Sequence, residues 1–385
     1  MSASTGAITT SASIAEIFIG RELQRERRAG SFYRPELDAL RFVAFLLVFI
    51  RHVTPFDPPM LVKYLHLPYS AAVIIANICQ TGAFGVYLFF ALSAYLITAL
   101  LLREKEQYGK LHITQFYVRR ALRIWPLYFF ILVIGSIYSV CYPPFDYGTI
   151  PYFVFFSGNW MEVVGRIPSY VLAAMWSISV EEQFYLVWPP IVSNLSVSGI
   201  KTAAAVMLVV PALALPLGFA LGFSGWHFAF MNSFSCVSAM GAGILVACCE
   251  IPRLPRWLLA TTAAIAWYFA AALHLGDAPV TSVVAVALIV LGSSCLLIAA
   301  MGLTARPTFI ELGKISYGLY VYHALAIAVT QQVMGRLAVS VKGYPMVIFG
   351  SFVLTIAMAF ASYKLLEVPF LRLKERFTFV RSRPV

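Results

Sequence analysis

The chain has 385 residues, of which 61% are hydrophobic and only 12% charged, and its mean hydropathy is +0.82. A soluble domain carries about 25% charged residues, so this composition excludes a water-facing globule of this size. The net charge of +11 points to anionic lipid headgroups as the counter-surface rather than to nucleic acid.

Residues 1–34 are polar and are expected to form a cytoplasmic tail. Their charged run RELQRERR, at 21–28, follows a stretch too short and too weakly apolar for a signal peptide. A membrane-spanning helix needs about 20 mostly apolar residues. Such runs fall at 37–55, 72–102, 121–141, 170–194, 202–222, 229–249, 257–274, 280–302, 309–334 and 345–366. The second is long enough to break or tilt around Gly82 and Gly85. Strand alternation with turn signals does not recur, which argues against a β-barrel. The expected fold is therefore all-α: a polytopic bundle of about ten spans occupying 35–370, followed by a basic tail at 371–385. With the N-terminus inside, the inner segments hold 22 Lys and Arg and the outer segments 4. That asymmetry fits the positive-inside rule and predicts both termini in the cytoplasm.

Six cysteines (79, 141, 236, 248, 249 and 295) lie in or near spans, none with metal-ligand spacing to a histidine. No metal is expected. Cys79 and Cys141 fall near the outer face and could pair in an oxidising compartment, although small apolar packing roles account for all six.

Ionisable residues at membrane depth are costly and usually functional. Arg41 and His52 are eleven residues apart on the first span, almost three helical turns, so their side chains leave one face about 16 Å apart along the axis. Arg41 reads either as a snorkelling anchor or, with His52 and the preceding Asp38, as part of a site. Glu181 and Glu182 are adjacent carboxylates inside the apolar segment WSISVEEQFYLVWP, 176–189. They are candidates for chemistry, or for an ion pair with a nearby arginine. In FYVRRALRIWP, 116–126, Arg119 and Arg123 share a helix face with Arg120 beside them. Topology alone places basic residues at a cytoplasmic helix end, yet three arginines there also suit a phosphorylated ligand. The aromatic-rich ISYGLYVYH, 315–323, brings His323 into the ninth span.

Taken in order, these segments resemble the acyltransferase-3 family of membrane acyltransferases. LDALR with a histidine eleven residues on (37–41 and 52), GVYLFFALSAYLIT (85–98), RRALRIWP (119–126), WSISVEEQFYLVWP, ISYGLYVYH and EVPF (367–370) match the family's patterns in sequence from 37 to about 372. Ala39 and Ala94 stand where glycine is usual, and Tyr87 where a polar or acidic residue is frequent.

The resemblance implies an O-acyltransferase of a multi-pass membrane protein, of the kind found in the bacterial inner membrane. It would move an acyl group, most often acetyl from acetyl-CoA, to a hydroxyl of a carbohydrate or glycoconjugate. A macrolide-type acceptor is the alternative within the same chemistry, and a proton-coupled transporter the rival from another class. Transporters usually carry internal repeats, and none is visible here. His52 takes the role of general base or acyl carrier, and Glu182 or Glu181 that of orienting its imidazole. Arg41 would hold the thioester or stabilise the oxyanion. Arg119, Arg120 and Arg123 would meet the CoA phosphates, and Trp176, Ser177, Tyr185 and His323 would line the substrate site. Membrane lipids, acyl-CoA and the glycan are the expected partners. The sequence names neither the acceptor nor the oligomeric state.

Overall fold

The computed structural model describes residues 32–54, 57–142, 146–166, 168–336 and 344–378. The expected N-terminal tail, but for its last residues, lies outside them. So does the end of the expected C-terminal tail, whose first residues belong to the helix Val368–Glu375.

Each apolar run of the sequence is helical, and among the described residues there is no strand. The principal helices are α1 (Pro35–Val53), α2 (Gly85–Tyr108), α3 (Ile113–Cys141), α4 (Trp176–Asn194), α5 (Val197–Ala220), α6 (Ser233–Cys248), α7 (Arg256–Ala272), α8 (Pro279–Ala300), α9 (Ser316–Arg336) and α10 (Tyr344–Ser362). Among the described residues, six segments are long and apolar enough to cross a membrane, or up to seven if the bent pair Pro307–Lys314 and α9, at 72°, is one span. The expectation of about ten thus counted three or four more. α1 carries Glu36, Asp38, Arg41 and Arg51, and α4 carries Glu181 and Glu182. α7 has 17 residues, about 25 Å of helix, against a hydrocarbon core about 30 Å thick.

Local chemistry explains the helix ends. α1 starts on Pro35 with Glu36 and Asp38 in its first turn and finishes with Arg51 and His52 in its last, each sign matching the end of the helix dipole it faces. Ser196 accepts from Gly199 N at 3.2 Å and Asn232 from Ser235 N at 2.8 Å, capping α5 and α6. α2 stops at Gly109, whose φ of +69° suits a residue without Cβ.

α2 is the hub. It packs against α1, α4, α6 and α8. The helix Tyr69–Gln80 leads into it through a tighter turn, Thr81–Phe84, where the sequence places Gly82 and Gly85. Both glycines sit against α1, where a Cβ would meet the carbonyl oxygens of Leu47 and Ala44. Small residues that let backbones approach are the general solution to helix packing in lipid. Pro126, Pro189, Pro190, Pro211 and Pro216 lie inside helices, as is common in membrane spans.

The outside of the bundle is apolar. Val133 and Ile137 on α3, Val206, Val209, Leu213 and Leu217 on α5, and Phe349, Val353 and Phe360 on α10 are exposed. Their spacing of three, four or seven residues makes stripes that a lipid chain would cover. All six cysteines are free thiols.

Candidate active site

The sequence order of the helices gives the bundle two ends. One carries Arg34 before α1, the α2–α3 turn and the end of α4, where Lys105 donates to the carbonyls of Val192, Ser193 and Leu195 at 2.9, 3.0 and 2.9 Å. The other carries His52 near the end of α1, held close to residue 170 by a hydrogen bond from Tyr170 OH to the His52 carbonyl (3.1 Å).

A cavity runs from the arginine end into the middle of the bundle. Four arginines line it, Arg34, Arg41, Arg120 and Arg123, with two carboxylates, Asp38 and Glu181. Arg41 Nη1 donates to Asp38 Oδ1 at 3.0 Å. The guanidinium of Arg120 stands 5.6 Å from the ring centre of Tyr185, which also lines the cavity. Tyr185 OH donates to Glu181 Oε2 at 2.8 Å. That uses its only proton, so the 2.5 Å contact with Ser93 Oγ has the serine as donor. Four cations against two carboxylates leave an excess of positive charge inside low-dielectric walls, the setting in which phosphate oxygens are bound best.

The cavity's inner wall is formed by Phe89, Ser177 and Tyr320. Tyr320 OH donates to the Ala174 carbonyl at 3.0 Å and lies 2.6 Å from Ser177 Oγ. Behind that wall are two histidines. The ring of His323 is 5.5 Å from that of Tyr320 and 5.0 Å from that of His52. His52 Nδ1 is 2.9 Å from the Val48 carbonyl, and His323 Nδ1 bonds the Tyr320 carbonyl. A carbonyl can only accept, so each Nδ1 carries a proton and each neutral ring keeps its lone pair on Nε2. Nε2 of His323 is buried without a partner. Two basic nitrogens thus stand behind the wall of a cation-lined cavity that neither His52 nor His323 itself lines.

Adjacent residues in the sequence part company here. Glu181 faces the cavity. Glu182 turns away and accepts from Trp125 Nε1 at 2.9 Å, because consecutive helix residues point about 100° apart. The expectation that one of these carboxylates orients His52 finds no hydrogen bond among the described residues: the Val48 carbonyl, one turn back on the same helix, takes that place. Arg119 likewise leaves its neighbours. It donates to Glu104 Oε2 (3.2 Å) and to the Phe377 carbonyl (2.8 Å), tying α2 to the C-terminal segment, while Arg120 and Arg123 line the cavity. Trp176 does not line it; its indole packs in an aromatic cluster with Phe90 and Phe230 at 6.1 and 5.8 Å. Ser177 and Tyr185 do line it. Arg41 and His52 share a face of α1 as expected, but serve different parts of the site.

Sequence reasoning missed Ser93, Tyr317 and Tyr320. The signal for the tyrosines was present, since 317 and 320 lie about one helical turn apart, just before His323.

The chain belongs to the acyltransferase-3 family: the family model described as an acyltransferase domain matches residues 34–364. It is similar to peptidoglycan O-acetyltransferase OatA of Listeria monocytogenes, 33% identical over 180 residues, which is 43% of this chain and 25% of that protein. A Staphylococcus aureus protein named "Putative O-acetyltransferase SAS0844" is 22% identical over 379 residues, 88% of this chain and 57% of its own length. O-acetyltransferase OatA of Staphylococcus aureus is 26% identical over 174 residues, 42% of this chain and 25% of that protein. The matches thus span about a quarter to a little over half of these curated relatives. No solved structure matches the chain.

Proposed function

We propose that this chain is a membrane O-acyltransferase that takes an acyl group, acetyl from acetyl-CoA, at its arginine end and delivers it to a hydroxyl of a carbohydrate or glycoconjugate. The observation that carries the reading is one continuous arrangement: a cavity with four arginines at one end and the His52–His323 pair behind its inner wall. The excess of basic residues on that side supports a cytoplasmic orientation by the positive-inside rule, and the cytoplasm is where acyl-CoA is found. The names of the relatives support transfer of acetyl to a glycan.

In this reading Arg120, Arg123 and Arg41 hold the phosphates of the acyl donor as charge-assisted hydrogen bonds. The thioester lies by Ser177 and Tyr320. Nε2 of His52 accepts the proton of the acceptor hydroxyl, whose oxygen attacks the thioester carbonyl. The C–S bond breaks, and the CoA sulfur takes the proton from the imidazolium. Backbone carbonyls at Val48 and Tyr320 hold both imidazoles in the tautomer this needs. Arg119, committed to Glu104 and Phe377, fixes the cavity mouth rather than binding the ligand.

Purified protein in lipid, given radiolabelled acetyl-CoA and a glycan oligomer, tests this. Label is expected to move to the glycan as an alkali-labile ester. Donor binding that is unaffected by loss of Arg120 and Arg123, or no ester on any hydroxyl acceptor, overturns it. Mass spectrometry of cell-surface glycans with and without the chain identifies the natural acceptor.

A further inference from the structure

At the end of the bundle away from the arginines, two short helices, Gly158–Val163 and Gly225–Met231, pack on each other, and the first also packs on α4. The amides of this layer satisfy one another. Asn159 Nδ2 donates to the Met231 carbonyl and Ser233 Oγ (3.1 and 3.0 Å), Gln183 Nε2 to Asn159 Oδ1 (2.9 Å), and Ser233 Oγ to Gln183 Oε1 (2.6 Å). A closed ring of this kind has little left to offer a ligand.

Glu162 is the exception. It is only 5% exposed, yet its Oε1 has no hydrogen-bond partner. Its Oε2 is 3.9 Å from His227 Nε2, beyond hydrogen-bond reach. Buried polar groups are nearly always paired, so an orphan oxygen asks for a ligand or a function. Burial pushes the carboxyl up to about 8, which keeps it largely neutral near pH 7, able to donate as well as accept. His227 is exposed, so the pair connects the interior to the surface. Beside it Trp226 stacks on Phe230 at 4.3 Å, presenting a half-buried indole.

We propose that Glu162 and His227 form the acceptor site, binding the hydroxyls of a carbohydrate that enters from the side opposite the acyl donor, with Trp226 as the apolar face for the sugar ring. This rests on the acyl-transfer reading above and adds to it where the acceptor binds. It gives the two substrates separate doors: phosphates pair with arginines at one end, and neutral hydroxyls pair with a carboxyl, an imidazole and an indole at the other. A single orphan oxygen and an exposed ring at contact distance form a site of small size, suited to hydroxyl recognition and not to a charged group.

The test uses full-length protein in nanodiscs and chitotetraose, a β-1,4-linked N-acetylglucosamine oligosaccharide, as the probe, with no acyl donor present. Binding is read by saturation-transfer NMR, and acetyl-CoA binding is measured separately. Glu162→Ala and His227→Ala are expected to weaken chitotetraose binding at least tenfold. Glu162→Gln should weaken it less than threefold, because an amide keeps a donor and an acceptor where a neutral carboxyl stood. Acetyl-CoA affinity should stay within twofold in all three. Failure of the unmodified protein to bind chitotetraose overturns the proposal. So does binding that survives Glu162→Ala and His227→Ala, or acetyl-CoA affinity that falls in step with it, which marks a purely structural role. His227 is exposed, so its variant still reports if Glu162→Ala does not fold. Chitotetraose binding without any acetyl transfer leaves this site standing and removes the acyl-transfer reading instead.

Discussion

The two ends of this bundle solve different problems with different residues. At the arginine end, polar groups are charged, long and partly balanced, with four guanidinium groups meeting Asp38 and Glu181 around a cavity. At the far end, the amide ring of Asn159, Gln183 and Ser233 is closed on itself, and only Glu162 beside it keeps a buried oxygen without a partner. Net charge inside low-dielectric walls attracts a multiply charged ligand and is expensive without one. A saturated amide ring is cheap and stiff, and holds short helices in register. The contrast teaches that one end is built to receive charge, while the other is held in shape by saturated amides and leaves only a small neutral opening at Glu162 and His227, with the buried histidine pair deeper in the bundle.

The sharpest way to break this comparison is at the middle. His52→Ala should insert and fold, because the ring's described hydrogen bond is only to a carbonyl of its own helix. It should nevertheless cost about 10²–10⁴ in transfer rate, the usual range for a general base. His323→Ala should cost less, since His323 supports His52 from 5.0 Å away. Turnover by His52→Ala above about a tenth of normal would place the base elsewhere and make the pair a packing feature.

The next test separates the arginines. Arg123→Ala and Arg120→Ala should each raise the KM for acetyl-CoA by about 10- to 100-fold, the equivalent of one charge-assisted hydrogen bond at about 1.5–3 kcal/mol. Arg119→Ala should leave that KM nearly unchanged and lower stability instead, because it strips Glu104, buried at 3% exposure, of a charged partner. Kinetics and thermal unfolding on the same three variants decide it. An Arg119 effect on KM equal to that of Arg123 would return the whole cluster to ligand binding.

The third test concerns neighbouring carboxylates. Glu181→Gln keeps an acceptor for Tyr185 but removes a negative charge from the cavity, so transfer should change by about tenfold, of the order of one hydrogen bond to a charged group. Glu182→Gln keeps an acceptor for Trp125 and should stay within about threefold. The reverse order would show that the Trp125 side, not the cavity, is where the carboxylate acts.

These cases also show what a sequence can and cannot disclose about such a protein. Runs of apolar residues located the long helices, because in lipid the backbone has almost no other way to satisfy itself. The shared face of Arg41 and His52 followed from periodicity alone. The split of Glu181 from Glu182 was also implicit there, since neighbours on a helix cannot both face one small site. The fate of Arg119 was not, because its partners Glu104 and Phe377 lie 15 and 258 residues away. His52 and His323 meet only because α1 packs on α9, and no local pattern reports that. Glu162 and His227 looked like loop residues until two short helices brought them together.

The smallest expected effect probes the packing that keeps the two ends in register. Trp188 on α4 and Thr98 on α2 are both buried, and Trp188 Nε1 donates to Thr98 Oγ1 at 2.9 Å. Neither residue lines the cavity, so the bond is a rivet between helices and nothing more. Thr98→Val keeps shape and volume while leaving the indole N–H without its acceptor. In water an orphaned buried donor costs about 1–3 kcal/mol, but interhelical bonds in membranes average only about 0.6 kcal/mol, because the unfolded helices also find partners. A loss near 1 kcal/mol is therefore expected, seen as a drop of a few degrees in unfolding temperature with KM and kcat unchanged. If kcat falls by tenfold or more while stability holds, α2 and α4 do more than frame the cavity: their relative position then sets the reacting geometry, and the division between a charged end and a structural end must be redrawn around their contact.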